Sequence, residues 1–152
     1  MTHPMPPATM SPATVAQIMA RAYTHQSPWS EKAIADTLAQ SGCIFLHAPL
    51  GFLIARQILD EAEILAVAVD PDAQRSGIAT RLITAFHDAH EKQGIATAFL
   101  EVAARNTAAR AFYKAHGYTE SGLRKRYYRR PDGNFDDAVL MARATIRPES
   151  VT

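Results

Sequence analysis

Cysteine is all but missing from this chain: Cys43 is the single one in 152 residues. One thiol cannot close an internal disulfide. That removes the small disulfide-stapled scaffolds and points to a reducing, cytoplasmic setting. Within the apolar run Cys43–Leu46 it reads as a small buried hydrophobe. An excess of one charge is missing too. Sixteen Lys and Arg face fifteen Asp and Glu, a formal net charge of +1, so no global field steers the chain to nucleic acid or to a membrane. No apolar stretch approaches the roughly 20 residues that cross a bilayer. The opening MTHPMPPATMSP has neither a basic n-region nor an apolar h-region, so it does not read as a secretory leader. Internal repeats and low-complexity tracts are absent. The histidines are scattered; His87 and His90 stand three apart with no third ligand nearby, so no metal is expected.

What remains is an ordinary globular composition, 47% apolar and 20% charged, enough for a real core in one domain. The expected layout is a loose arm over 1–11, one domain over 12–146 and a short tail over 147–152. Val15, Ile18, Met19 and Ala22 form a helical stripe over 12–23. Pro28-Trp29-Ser30 opens a second helix, with Ser30 as N-cap and Trp29 and Ile34 as a hydrophobic staple, and Gly42 is expected to end it. Residues 43–47 and 51–58 read as a hairpin around His47-Ala48-Pro49-Leu50, and 63–69 as a longer strand. A helix follows over 77–92, closed by Gly94. Residues 97–102 make a strand, Asn106 caps a helix over 107–116, and 118–128 and 136–144 pair around the turn signal Pro131-Asp132-Gly133-Asn134. The order α-α-β-β-β-α-β-α-β-β mixes crossovers with hairpins. It implies an α/β or α+β layer fold on a mixed sheet flanked by helices.

One loop carries chemistry. Gln74-Arg75-Ser76-Gly77-Ile78-Ala79 lies between a strand and a helix N-terminus. There the first N–H groups lack partners and the dipole places partial positive charge, an anion site. Gly77 lets the backbone approach a bulky group closely, and Arg75 adds a full charge. Neither a Walker loop nor a dinucleotide fingerprint is present. Alone, the loop reads equally as a helix start with a flexible glycine.

The surroundings decide between these. The runs ILAVAVDPDAQRSGIATRLI and FLEVAARNTAARAFYKAHGY resemble the cofactor-binding core of the GNAT acetyltransferase superfamily. Its signature, Gln/Arg-x-x-Gly-x-Gly/Ala, is met by Gln74, Gly77 and Ala79. The resemblance covers residues 50–144. More narrowly, Pro28-Trp29-Ser30, Leu100-Glu101-Val102, Asn106 with Ala109, Phe112-Tyr113, His116-Gly117-Tyr118, and Tyr127-Tyr128 before Asp136-Asp137-Ala138 resemble the RimI branch, which acetylates the N-terminal alanine of a small-subunit ribosomal protein. The resemblance implies acetyl-CoA as co-substrate. The backbone of Val67, Ala68 and Val69 would pair with its pantetheine arm, and the N–H groups of Arg75, Ser76, Gly77, Ile78, Ala79 and Thr80 would cradle its pyrophosphate. The N–H of Val69 would polarise the carbonyl. RimI-like proteins begin with a strand before the first helix, and the prolines of residues 1–11 make a poor one, so that strand is expected to be weak or absent.

Acetyl transfer needs a neutral amine, stabilisation of the carbonyl oxygen and a proton for the departing sulfur. Glu101, at the end of an apolar strand, is the candidate base; the alternative is a strand glutamate paired with an arginine such as Arg105. Tyr113, two turns beyond Asn106, is the candidate acid; the alternative is a core aromatic beside Phe112. Asn106 reads as an N-cap, and the resemblance implies that it also hydrogen-bonds the cofactor. For the acceptor, Trp29, Glu61, Tyr127, Tyr128 and Asp137 are the candidate contacts, with solvated turn charges and sheet-packing aromatics as the alternatives. A basic run, Arg124 to Arg130, reads as a solvated strand edge rather than a nucleic-acid site. An α-amine near pKa 8 is easier to present neutral than a lysine near 10.4, which favours a protein N-terminus, with no nucleic-acid substrate and no membrane. A monomer is expected. Two other readings stay open: an enzyme for lysine or small amines, and a non-catalytic acetyl-CoA-binding module.

Overall fold

The computed structural model describes residues 9–144. Helices α1 (Pro12–Ala22) and α2 (Glu31–Leu38) lead into β1 (Cys43–Ala48), β2 (Gly51–Ile58) and β3 (Glu61–Val69); α3 (Ile78–Gln93), β4 (Thr97–Ala103), α4 (Thr107–Ala115), β5 (Thr119–Arg129) and β6 (Phe135–Ala144) follow. The strands form one mixed sheet in the order β1-β2-β3-β4-β6-β5. The fold class and element order read from the sequence stand. Among the described residues no strand precedes α1. Of the expected arm, Met10 packs against the α1–α2 core and Ser11 caps α1; residues 1–8 and the expected tail 147–152 lie outside the described residues. Among the described residues, no helix is long and apolar enough to cross a membrane.

Strand alternation splits the core in two. Phe52 and Ile54 face α1 and α2 with Val15, Ile18, Met19 and Ile34. Leu53 and Ala55 face α3 with Leu82, Ile83 and Phe86. Truncating a ring as buried as Phe52 to alanine costs about 3–5 kcal/mol. Ser30 accepts from the N–H of Ala33, as an N-cap should. The second helix stops at Leu38, earlier than expected. Gly42 instead sits at φ 81° in the turn before β1, where a side chain would run into the Gln57 carbonyl.

Two irregularities position everything that follows. Between β2 and β3 the register shifts, with Ile54 opposite Ala66 but Ala55 opposite Ile64. Leu65 is therefore an extra residue, a β-bulge that reverses which face the strand presents. Ala62 and Ile64 join the α3 core, whereas Ala66 and Ala68 join the α1–α2 core. Second, the parallel pairing of β3 with β4 runs only from Glu61↔Thr97 to Ile64↔Leu100. Beyond that point the two strands part, and β3 from Ala66 to Val69 pairs with β2 alone.

Candidate functional site

The gap between the parted strands opens into a cavity of about 610 Å³. One wall is the free edge of β3, including Val67, Ala68 and Val69; the floor is the start of α3; the far wall is α4 with Asn106, Phe112 and Tyr113. The backbone groups along that free edge have no partner strand, so an extended ligand can supply one. Gln74 donates from Nε2 to the Val69 carbonyl at 3.2 Å, which fixes the loop to the strand end.

The loop itself is bent by two left-handed residues, Arg75 at φ 64° and Gly77 at φ 86°. Nothing lies within 4 Å of where a Gly77 side chain would start, so this backbone is open to an incoming group. Gly77 is also the N-cap of α3 and offers no side-chain bond to its first N–H groups. These therefore face the cavity with their donors free, alongside Arg75, Ile78, Ala79 and Thr80. Ser76 is turned away; its hydroxyl donates to the Ala73 carbonyl and it does not line the cavity. Across the loop, Arg21 of α1 holds Asp70 at 3.0 Å and Asp72 at 3.1 Å.

Asn106 accepts from the N–H of Ala109 at 3.2 Å, which leaves its amide N–H₂ for the cavity. Tyr113, on the next turns of α4, is buried at 8% exposure. Desolvation, reinforced by Tyr23, Tyr118 and Tyr128, pushes its phenol well above the ordinary tyrosine range. It therefore holds its proton at every physiological pH.

A second cavity, about 340 Å³, adjoins the first on the α1–α2 side. Trp29, Tyr127, Tyr128, Glu63, Glu101 and Arg129 line it. The two cavities share Gln26, Ile64, Leu65, Glu101 and Tyr128. Glu101 is thus a wall common to both. Its carboxylate pairs with Arg124 at 3.1 Å and its side chain is 14% exposed. The arginine partner weighed from the sequence, Arg105, is elsewhere: its N–H binds Asp136 at 3.0 Å. Tyr128 donates to the Glu101 carbonyl at 3.0 Å, tying β5 to β4 over the junction.

Two expected acceptor contacts are not brought to the site. Glu61 lies at the start of β3, beside Thr97, and lines neither cavity. Glu63, one pleat repeat further along on the same face, does. Asp137 is spent on the backbone: its carboxylate accepts from the N–H of Arg126 at 2.8 Å. That bond pins the irregular stretch of β5 between Arg124 and Tyr128, where Arg126 sits at φ 55°. Tyr23 and Gln26, which the sequence reading did not single out, line the first cavity from the α1–α2 connection. A loop between two short helices gives no periodic signal that would have marked them. The basic residues of β5, Arg124 to Arg126 and Arg129, are exposed, with Arg124 paired to Glu101; Arg130, just past the strand and part-buried, pairs with Asp132.

Residues 13–118 match the acetyltransferase (GNAT) family. The chain is similar to the ribosomal protein bS18-alanine N-acetyltransferase of Escherichia coli strain K12, 41% identical over 122 residues, covering 78% of this chain and 82% of the relative. The N-alpha-acetyltransferase RimI of Mycobacterium tuberculosis is 31% identical over 123 residues, covering 75% and 76%. In three dimensions, the crystal structure of the Escherichia coli ribosomal-protein-S18-alanine N-acetyltransferase superposes with a TM-score of 0.80 at 35% identity, over 90% of this chain and 88% of that one.

Proposed function

Because the chain belongs to the acetyltransferase (GNAT) family and is an N-acetyltransferase, we propose that it carries acetyl from acetyl-CoA to the α-amine of a protein N-terminus. The proposed acceptor is the N-terminal alanine of a small-subunit ribosomal protein, as the names of its relatives say of theirs. The observation that carries this reading is the shared wall of two cavities. A donor lying in the larger one and an amine entering through the smaller one meet at Glu101.

The residues fit the donor. The free edge of β3 suits an extended amide-bearing arm, and the open loop at the head of α3 suits a pyrophosphate. When bound, acetyl-CoA supplies the activated thioester. Val67, Ala68 and Val69 hold the arm through their backbone; Arg75, Gly77, Ile78, Ala79 and Thr80 hold the phosphates. Glu101 accepts a proton from the acceptor amine, directly or through a water. Tyr113 gives its proton to the departing sulfur, and the burial that keeps it protonated makes it ready to do so. Trp29, Tyr127 and Tyr128 wall the amine's entrance. At pH 7 an α-amine with pKa about 8 is neutral roughly two orders of magnitude more often than a lysine near 10.4. A single carboxylate base therefore serves a chain end far better.

The test is acetyl transfer, read by mass spectrometry, to a short peptide with a free N-terminal alanine followed by basic residues. The control is the same peptide with a blocked N-terminus and an internal lysine. Acetylation of the free chain end alone is expected. Acetylation of the blocked peptide would overturn the proposed acceptor.

A further inference from the structure

The second cavity contains a carboxylate that the reaction as drawn leaves idle. Glu63 lies on β3 just before the Leu65 bulge, and Glu101 lies on β4 just beyond the last paired residue, Leu100. Ile64 and Leu100, the residues beside them, are both in the α3 core. Strand alternation turns both carboxylates to the opposite, α1–α2 face. There they line one small cavity with Trp29, Tyr127 and Tyr128. The Glu63 side chain is 27% exposed. Its ion partner is distant: Arg56 reaches one oxygen, Oε1, at 3.9 Å. Arg124 holds Glu101 at 3.1 Å and Arg129 also lines the cavity, so of the two acids it is Glu63 that lacks a close ion partner.

We propose that Glu63 is the residue that binds the acceptor's ammonium group, so that the cavity selects an unblocked, positively charged amine and delivers it to Glu101. This rests on the acetyl-transfer reading of the site and adds the basis of acceptor selection. Glu63 acts before the proton is removed; Glu101 acts on the amine so held. Several charged groups surround it. Burial and the neighbouring Glu101 raise the proton affinity of Glu63, and Arg56 on β2 and Arg124 on β5 lower it, with a net rise from the ordinary glutamate value. Protonated Glu63 cannot pair with an ammonium. Acceptor binding should therefore weaken on the acid side at a higher pH than an ordinary glutamate would impose.

The experiment is steady-state kinetics against pH, at saturating acetyl-CoA, with the free N-terminal alanine peptide. The proteins are the native enzyme, Glu63→Gln, Glu63→Asp and the surface control Glu61→Gln. Losing a charge-assisted contact should raise the peptide KM about tenfold in Glu63→Gln, with kcat changed far less. The acid limb of kcat/KM that is absent from kcat should disappear in that variant. Glu63→Asp should recover part of the affinity, and Glu61→Gln should match the native enzyme. An unchanged peptide KM in Glu63→Gln, or an equal loss in Glu61→Gln, overturns the proposal. If the native enzyme modifies the lysine peptide and not the chain end, the proposed acceptor fails. The Glu63 comparison then runs on the lysine amine, where an unchanged KM is equally fatal to it.

Discussion

Lowering the pH from 7 to 5 should remove about 4 kcal/mol of stability, and two buried histidines of α3 are the cause. His90 is fully buried, and neither of its ring nitrogens has a hydrogen-bond partner among the described residues. His87, at 7% exposure, shares a 2.9 Å hydrogen bond with Tyr118. Desolvation, then the charge of Arg143, pushes His87 down to about 3 and His90 down to about 4. In the unfolded chain both titrate near 6.5. A folded pKa below the unfolded one means the unfolded state binds the proton first. The stabilisation is full above about 6.5 and is lost as the pH falls through 6.5 toward the folded values. Between pH 7 and 5 the loss is about 2 kcal/mol for each ring. Glu63 works in the other direction, since its raised folded pKa favours the fold as the pH drops, and it offsets a small part. The assay is urea unfolding at pH 7, 6 and 5, followed by the fluorescence of Trp29, the only tryptophan. His90→Leu removes one titrating ring and should halve the slope. Stability that stays level from pH 7 to 5, or a slope that His90→Leu leaves intact, refutes the reasoning.

Three further outcomes follow from the site and its frame. Tyr113→Phe should cut kcat by about 10²-fold or more while sparing acetyl-CoA affinity, measured by turnover and by calorimetry; unchanged turnover removes the general acid. Gly77→Val forces a branched side chain to φ 86° with open space around it. The backbone cost is about 1–2 kcal/mol, and the KM for acetyl-CoA should rise about tenfold with a smaller change in kcat. Asp136 is 6% exposed and accepts from the N–H groups of Arg105 and Asp137. Asp136→Ala should lower the unfolding free energy by about 2–4 kcal/mol, read by urea denaturation, whereas Asp136→Asn keeps an acceptor and should cost less.

The legible parts of this molecule are those where local chemistry is unambiguous. The strand-loop-helix junction at Gly77 is legible as backbone: Gly77 stands at the head of α3 with a left-handed φ and no side-chain cap on the first N–H groups. Asn106 and Ser30 precede helices as caps must, and the structure gives each its bond. Ile64 to Val69 hid more. That run is apolar on both faces, so alternation carries no phase, and the bulge at Leu65 leaves no mark in it. The parting of β3 from β4 is equally silent, since it depends on which strand each backbone meets. Glu61 and Glu63 share a face of β3, so alternation does not separate them; only where β3 leaves β4 puts Glu63 on the second cavity and Glu61 on neither. Asp137 misled for a different reason: an aspartate that pins a bulge and one that greets a ligand look alike until the partner of Arg126 is known.

The four-residue seam between β3 and β4 has a mechanical consequence. The sheet is in effect two plates, β1-β2-β3 and β4-β6-β5, stitched at one end and sprung open at the other. An extended molecule laid along the open end, as proposed for the donor, would add the missing rungs beside β3. It also lies between strands in the middle of the sheet, so this ladder of unpaired amides is never offered as an outer edge to another copy of the chain.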